Sequence, residues 1–137
     1  MKTTLVVSGF HSSYSEEQAL PIRSAAEWKR VASELALSPE NLEALGGLHG
    51  PLHAMDWSSE MLVLVAGGLK QSGGFEVSWI RVTTSANSGS WKLTARVTAP
   101  GPDEMVTMAM TTPWAVYRLK DLPGKPSFFV EVRAREE

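Results

Sequence analysis

Apolar and polar side chains alternate with a period of two through much of the C-terminal half, and this alternation constrains the fold more than any other feature. The clearest example is the segment 91–99, in which apolar residues occupy the odd-numbered positions and Lys, Thr or Arg the even-numbered ones. The pattern predicts a β-strand with one face in the core and the other in solvent. Similar alternation at 75–79, 106–111 and 128–132 predicts three further strands.

Other strands are predicted from runs of apolar residues. Residues 61–66 are uninterruptedly apolar and are followed by Gly67-Gly68. A short apolar run of this kind is typical of a central strand covered on both faces. Residues 3–10 read as a first strand, and residues 18–22 as an extended approach to a helix.

The best-marked helix begins near Ser24. The Ser24 hydroxyl can accept the backbone N–H of Glu27 while the Glu27 side chain reaches back, which is the capping-box arrangement. The apolar residues that follow recur at helical spacing and predict a buried face. They are Trp28, Val31, Ala32 and Leu35.

A second, shorter helix is predicted from Ser38 to about Gly46-Gly47, with Pro39 in its first turn. Because the helices precede a long run of strands, the order favours an α+β fold over an alternating α/β one. We expect a single domain of 137 residues. One or two N-terminal helices pack on a mainly antiparallel β-sheet or sandwich of about six to seven strands.

The charge and cysteine content exclude several classes of function. Thirteen basic and fifteen acidic side chains give a formal net charge of −2, whereas nucleic-acid modules concentrate positive charge. The sequence has no cysteine, which excludes disulfides, thiolate metal sites and thiol nucleophiles. We therefore expect no nucleic-acid partner.

The sequence also bears on membranes and compartment. The apolar run Leu5-Val6-Val7 ends at Ser8-Gly9, short of the ~7–15 apolar residues of a signal-peptide core. No stretch approaches the ~18 apolar residues of a membrane span. We expect a soluble cytoplasmic protein, or a periplasmic or extracellular one if a leader has been removed.

Residues 67–74 form a glycine-rich stretch that includes Lys70. A phosphate-binding loop would need a helix after it, with the helix N-terminus facing the anion. A period-two segment beginning at Phe75 follows instead. A tight connection between two strands is therefore favoured over a phosphate site, and its exposed backbone remains a candidate for recognition.

The histidines do not form a convincing catalytic or metal-binding motif. His49 and His53 are four residues apart, but Gly50 and Pro51 between them break the helix that would align two ligands. The sequence 11–13 is His-Ser-Ser, and neighbours in sequence rarely have triad geometry. We expect no metal, no cofactor and no catalytic residues.

Trp114 follows Pro113 at a break in the strand pattern. A tryptophan in this position is either a core residue or a projecting anchor for a partner, since aromatic anchors dominate interface energetics. The sequence leaves both interpretations open.

Four short motifs occur in an order that resembles the C-terminal domain of the PrcB family, which is named for a subunit of a bacterial surface protease complex. They are Ser-Ser-Glu-Met at 58–61, Ser-Gly-Gly-Phe at 72–75, Pro-Gly-Pro at 100–102 and Thr-Thr-Pro-Trp at 111–114. The resemblance covers residues 57–132, and residues 22–28 resemble the helix that often precedes the domain. Residues 1–56 then supply the N-terminal strand and helices.

The resemblance implies association with a protease and no enzymatic activity. The leading hypothesis is a non-catalytic protein-interaction module that stabilises or regulates a protease complex. Its binding residues, placed at the two most recognisable motifs, are Lys70, Ser72, Gly73, Gly74, Phe75, Thr112, Pro113 and Trp114. The partner is expected to be a protein, and the oligomeric state stays open.

Two alternatives remain. The segments 72–75 and 113–114 are also similar to two of the three loops of chagasin-like cysteine peptidase inhibitors. The third loop, Gly-x-Gly-Gly, has no counterpart between Trp79 and Pro113. A small hydrolase ranks last, because it needs a nucleophile, a base and an orienting group in one cleft.

Overall fold

The computed structural model of the protein describes residues 2–35, 56–84, 91–101, 103, 105–106, 108–120 and 126–134. These ranges contain seven strands and one helix. They are β1 (Lys2–Gly9), β2 (Glu17–Ile22), α1 (Ala25–Glu34), β3 (Glu60–Gly67), β4 (Glu76–Thr84), β5 (Trp91–Ala99), β6 (Trp114–Lys120) and β7 (Pro126–Ala134). No helix in the described ranges is long and apolar enough to cross a bilayer.

The strands form two sheets. The first has the order β1-β6-β3-β2, and all its neighbours are antiparallel. The second has the order β4-β5-β7, with β4 and β5 antiparallel and β5 and β7 parallel. The expectation of a mainly antiparallel fold with an N-terminal helix is therefore met, and the β5–β7 pair is its parallel exception.

Strand β3 lies in the middle of three layers. Every residue of β3 is buried, as predicted for a strand covered on both faces. Leu62 and Leu64 belong to the core between the first sheet and α1, whereas Val63 and Val65 belong to the core between the two sheets. The first core also contains Val7, Ile22, Trp28, Val31, Leu35, Trp114 and Val116, and the second also contains Met61, Leu93, Ala95, Tyr117 and Leu119.

Helix α1 forms where the sequence predicts it. Ser24 Oγ accepts the backbone N–H of Glu27 at 3.1 Å, but Glu27 Oε2 accepts from the N–H of Arg23, at 2.7 Å, rather than from that of Ser24. The predicted apolar face, from Trp28 to Leu35, is buried. The second helix predicted from Ser38 lies outside the described residues.

The strand predicted at residues 106–111 is wrong. Its described residues form no strand, and their pairing is limited to an isolated antiparallel bridge between Thr111 and Lys70. The alternating apolar side chains of Met108 and Met110 are exposed to solvent. Alternation supplies an apolar face, but a strand also needs a neighbour that accepts its backbone hydrogen bonds along its length.

Candidate protein-interaction site

The two segments singled out in the sequence meet at one end of the first sheet, where β3 ends and β6 begins. The Lys70 N–H donates to the Thr111 carbonyl at 2.8 Å, and the Thr111 N–H donates to the Lys70 carbonyl at 2.9 Å. Thr111 Oγ1 also donates to the Ser72 carbonyl at 2.8 Å. The fold thus joins the glycine turn (residues 72–75) to the segment that leads into the Thr-Pro-Trp corner (residues 112–114).

Trp114 is a core residue and does not project toward a partner. Its side chain is 1% exposed, and its Nε1–H donates to the His11 carbonyl at 2.8 Å. Trp114 lies opposite Gly9 in the β1–β6 pair, and a Cβ on Gly9 would come within 2.8 Å of the indole. Of the two interpretations left open by the sequence, the projecting anchor is therefore wrong.

Thr112 and Pro113 also hold the chain together. Thr112 Oγ1 accepts the N–H of Ser12 at 2.6 Å and donates to the Ser12 carbonyl at 2.9 Å. Pro113 is buried, and its carbonyl accepts the N–H of Gly67 at 2.8 Å. The hydrogen-bonding groups of the Thr-Pro-Trp corner are thus engaged within the protein, where they fasten the loop after β1 to the ends of β3 and β6.

The glycine turn approaches its neighbours too closely for a side chain at Gly74. This residue has φ +87°, a conformation that residues with a Cβ rarely adopt. A Cβ there would lie 2.6 Å from Val106 Cγ1 and 2.8 Å from the Pro100 Cβ. A side chain at position 74 would therefore strain the turn, although residues 72–75 are all partly exposed.

Lys70 links the glycine turn to β2. Its Nζ lies 3.4 Å from Glu17 Oε1 and 5.4 Å from the centre of the Phe75 ring. The ion pair and the cation–π contact both orient the Lys70 side chain along the surface. Lys70 thus contacts both Glu17 and Phe75 at the edge of the turn.

An apolar cleft of about 350 Å³ opens between the glycine turn and the loop after β1. Its described lining residues are Phe10, His11, Gly73, Gly74, Met105, Val106 and Thr111. None of these seven carries a carboxylate, an ammonium or a guanidinium group. The Phe10 side chain is 53% exposed and that of Met105 is 98% exposed, so apolar surface faces solvent at the rim.

The sequence predicted two of these lining residues, Gly73 and Gly74, as binding residues. Phe10 was missed because it was taken as the end of a strand, and Met105 because it precedes the segment predicted as a strand. One signal was available: residues 106–111 carry an alternating apolar face for which the sequence offers no obvious neighbour. An apolar face without a strand partner indicates an exposed surface.

The described serines around His11 do not form a catalytic arrangement. Ser13 Oγ donates to Glu34 Oε2 at 2.6 Å, and Ser12 Oγ lies 3.4 Å from the Thr112 carbonyl that it donates to. A triad nucleophile would instead donate to an imidazole. No three His, Cys, Asp or Glu residues of the described part lie close enough to hold a metal ion, and His49 and His53 lie outside it.

A charged cluster occupies the opposite end of β3. The buried Glu60 carboxylate accepts two hydrogen bonds from Arg118 Nη2, at 2.8 and 3.0 Å, and lies 3.7 Å from Lys120 Nζ. It also accepts the backbone N–H of Asp56 at 2.8 Å. The hydrogen bond from Asp56 and the Arg118 guanidinium lower the pKa of Glu60. These partners thus favour the ionised form of Glu60 and tie the start of β3 to β6.

Part of the chain matches a known family model. The model described as PrcB C-terminal matches residues 61–120, from the start of β3 to the end of β6. The matched segment is less than half of the 137 residues, and over this segment the chain is similar to the PrcB C-terminal family. The resemblance drawn from the sequence motifs is thereby confirmed over this segment.

The PrcB C-terminal segment contains the glycine turn, the Thr-Pro-Trp corner and Met105. Phe10 and His11 lie outside it, so the cleft combines the PrcB C-terminal segment with an N-terminal wall. Neither a curated protein nor a solved structure matches the chain.

Proposed function

We propose that the protein is a non-catalytic protein-interaction module that binds its partner through the cleft beside the glycine turn and thereby stabilises or regulates a protease complex. The observation that carries this proposal is an apolar cleft whose rim exposes Phe10 and Met105 to solvent. The match of residues 61–120 to the PrcB C-terminal family supports the association with a protease complex.

The chemistry of the cleft favours an apolar segment of a protein as the occupant. Exposed apolar patches on folded proteins mark interaction sites, because their desolvation favours association. Methionine side chains adapt to irregular partner surfaces, and glycine permits close approach of another backbone.

The inhibitor alternative is less well supported. It requires Pro113 and Trp114 to be presented to a peptidase, but both side chains are buried. A peptidase could reach them only if the corner unfolded, which would break the hydrogen bond from Trp114 to His11. The interaction module is therefore the function that we put forward.

The test uses two substitutions of equally exposed residues near β1. Phe10 and Leu5 are each 53% exposed, but only Phe10 lines the cleft. Phe10→Glu places a charge where the partner must exclude water, whereas Leu5→Glu places the same charge elsewhere on the surface. The tagged wild-type chain and both variants are cross-linked in cells of the source organism, and the bound proteins are quantified by mass spectrometry.

We expect the wild type and Leu5→Glu to capture the same subunit of a protease complex, and Phe10→Glu to lose it. Thermal unfolding of the purified proteins provides the control for folding. Equal capture by Phe10→Glu and the wild type would place the contact elsewhere. Capture of no protease subunit by a folded wild-type chain would overturn the proposal.

A further inference from the structure

Three methionines within residues 105–110, of which Met105 lines the cleft, are unusually exposed. The side chains of Met105, Met108 and Met110 are 98%, 86% and 61% exposed. Methionine is among the residues most often found fully buried, so three exposed methionines within six positions are unexpected. Met61, in β3, is 2% exposed and provides a contrast within the same chain.

Exposure decides how readily a thioether reacts with an oxidant. Hydrogen peroxide transfers one oxygen atom to the methionine sulfur, which gives a sulfoxide and releases water. The sulfur lone pair forms the new S–O bond to one peroxide oxygen as the O–O bond breaks, and the other oxygen leaves as water with both protons. The sulfur is oxidised and the peroxide is reduced. A thiol-dependent reductase reverses the change.

A sulfoxide at this position would change the chemistry of the cleft. Met105 lines the cleft together with Phe10, and Met108 and Met110 follow it along the same exposed segment. Oxidation turns a flexible apolar side chain into a polar one that holds water. A partner's apolar side chain would then have to displace that water from the rim.

We propose that Met105, Met108 and Met110 form a peroxide-sensitive modification site, and that their oxidation weakens apolar binding at the cleft. The regulatory half of this inference rests on the proposed function. The modification half rests on the exposure of the three side chains alone.

We expect the fold to tolerate oxidation of these three methionines. The three methionines lie outside the strands, and the two cores described above do not include them. Met61, by contrast, packs between the two sheets, where a sulfoxide would disrupt the core. Peroxide is therefore expected to change the surface and leave the folding transition in place.

The experiment treats the full-length protein with hydrogen peroxide and follows three readouts. Peptide mass spectrometry gives the oxidation rate of each methionine, thermal unfolding gives Tm, and the fluorescence of 8-anilinonaphthalene-1-sulfonate reports apolar surface. The triple variant Met105→Leu, Met108→Leu, Met110→Leu keeps the rim apolar and cannot be oxidised there. Phe10→Glu shows how much of the dye signal belongs to the cleft.

We expect the three exposed methionines to oxidise at least about tenfold faster than Met61, with Tm unchanged. The Phe10-dependent dye fluorescence should fall on oxidation of the wild type and stay constant in the leucine variant. Oxidation of Met61 at the same rate, or a fall in Tm, would overturn the modification site. A constant dye signal after oxidation would overturn the regulatory half and leave the proposed function standing. A dye signal that does not depend on Phe10 would instead count against the cleft itself.

Discussion

Among single residues, Trp114 shows most clearly how burial separates a structural role from a binding role. A tryptophan beside a proline on a candidate binding segment suggests an anchor, yet its indole packs over Gly9 and bonds to the backbone of the loop after β1. Phe10 differs from Trp114 in burial, because it is an apolar residue that the fold leaves half exposed. Truncating the two aromatic side chains is therefore expected to change the free energy of unfolding by different amounts.

We expect Trp114→Ala to lower the free energy of unfolding by about 3–5 kcal/mol, because it empties a large aromatic site in the core. Phe10→Ala, the matched control at the rim, should cost less than about 1 kcal/mol, since surface truncations change stability little. Urea unfolding of both variants measures the difference. Similar losses for the two would mean that Phe10 is as much a part of the core as Trp114.

At the level of elements, the sequence predicted the strands and the helix whose burial can be read from their own residues. The uninterrupted apolar run of β3 and the apolar stripe of α1 report burial directly, and both predictions are confirmed. The strand predicted at 106–111 failed because its alternation says nothing about which strand would pair with it. The parallel pairing of β5 with β7 was likewise beyond the sequence, since neighbours in a sheet are decided by packing of the whole chain.

Glu60 in β3 forms ion pairs with Arg118 and Lys120 in β6, and these ion pairs predict that the stability of the fold depends on pH. The pKa of Glu60 is lower in the folded protein than its ordinary value of 4.5, chiefly because of the hydrogen bond from Asp56 and those from Arg118. The contribution of Glu60 to stability is therefore present above pH 4.5 and is lost as the pH falls through the lower folded-state pKa.

We expect Glu60→Gln to have a lower Tm than the wild type at pH 7, and the difference to narrow as the pH falls below 4.5. Thermal unfolding of both proteins across this range measures it. A difference that stayed constant into acid would show that the loss comes from packing and not from the carboxylate charge.

For the whole molecule, the boundaries of the family segment do not coincide with those of the folded layers. Residues 61–120 include β3 and β6, but β1, β2 and α1 cover the remaining edges and one face of these strands. The sequence singled out the glycine turn and the Thr-Pro-Trp corner, of which only Gly73 and Gly74 line the cleft, and it did not indicate which side chains turn inward. That orientation depends on Gly9 and Ser12, about a hundred residues away along the chain.

We expect a polypeptide of residues 61–120 alone to show no cooperative thermal transition, because Leu62, Leu64 and Val116 would lose the helix and strands that cover them. Differential scanning calorimetry of this fragment and of the full-length protein compares the two. A sharp transition together with a native near-UV circular dichroism spectrum in the fragment would show that the N-terminal layer is dispensable.

The paired hydrogen bonds between Thr112 and Ser12 also bear on biosynthesis. They connect residues 100 positions apart, and the cleft beside them takes one wall from Phe10 and His11 and another from Met105, Val106 and Thr111. A nascent chain that has not yet reached Thr111 has no complete cleft. A complete cleft therefore requires that the segment containing Thr111 has been synthesised and has packed against the loop after β1.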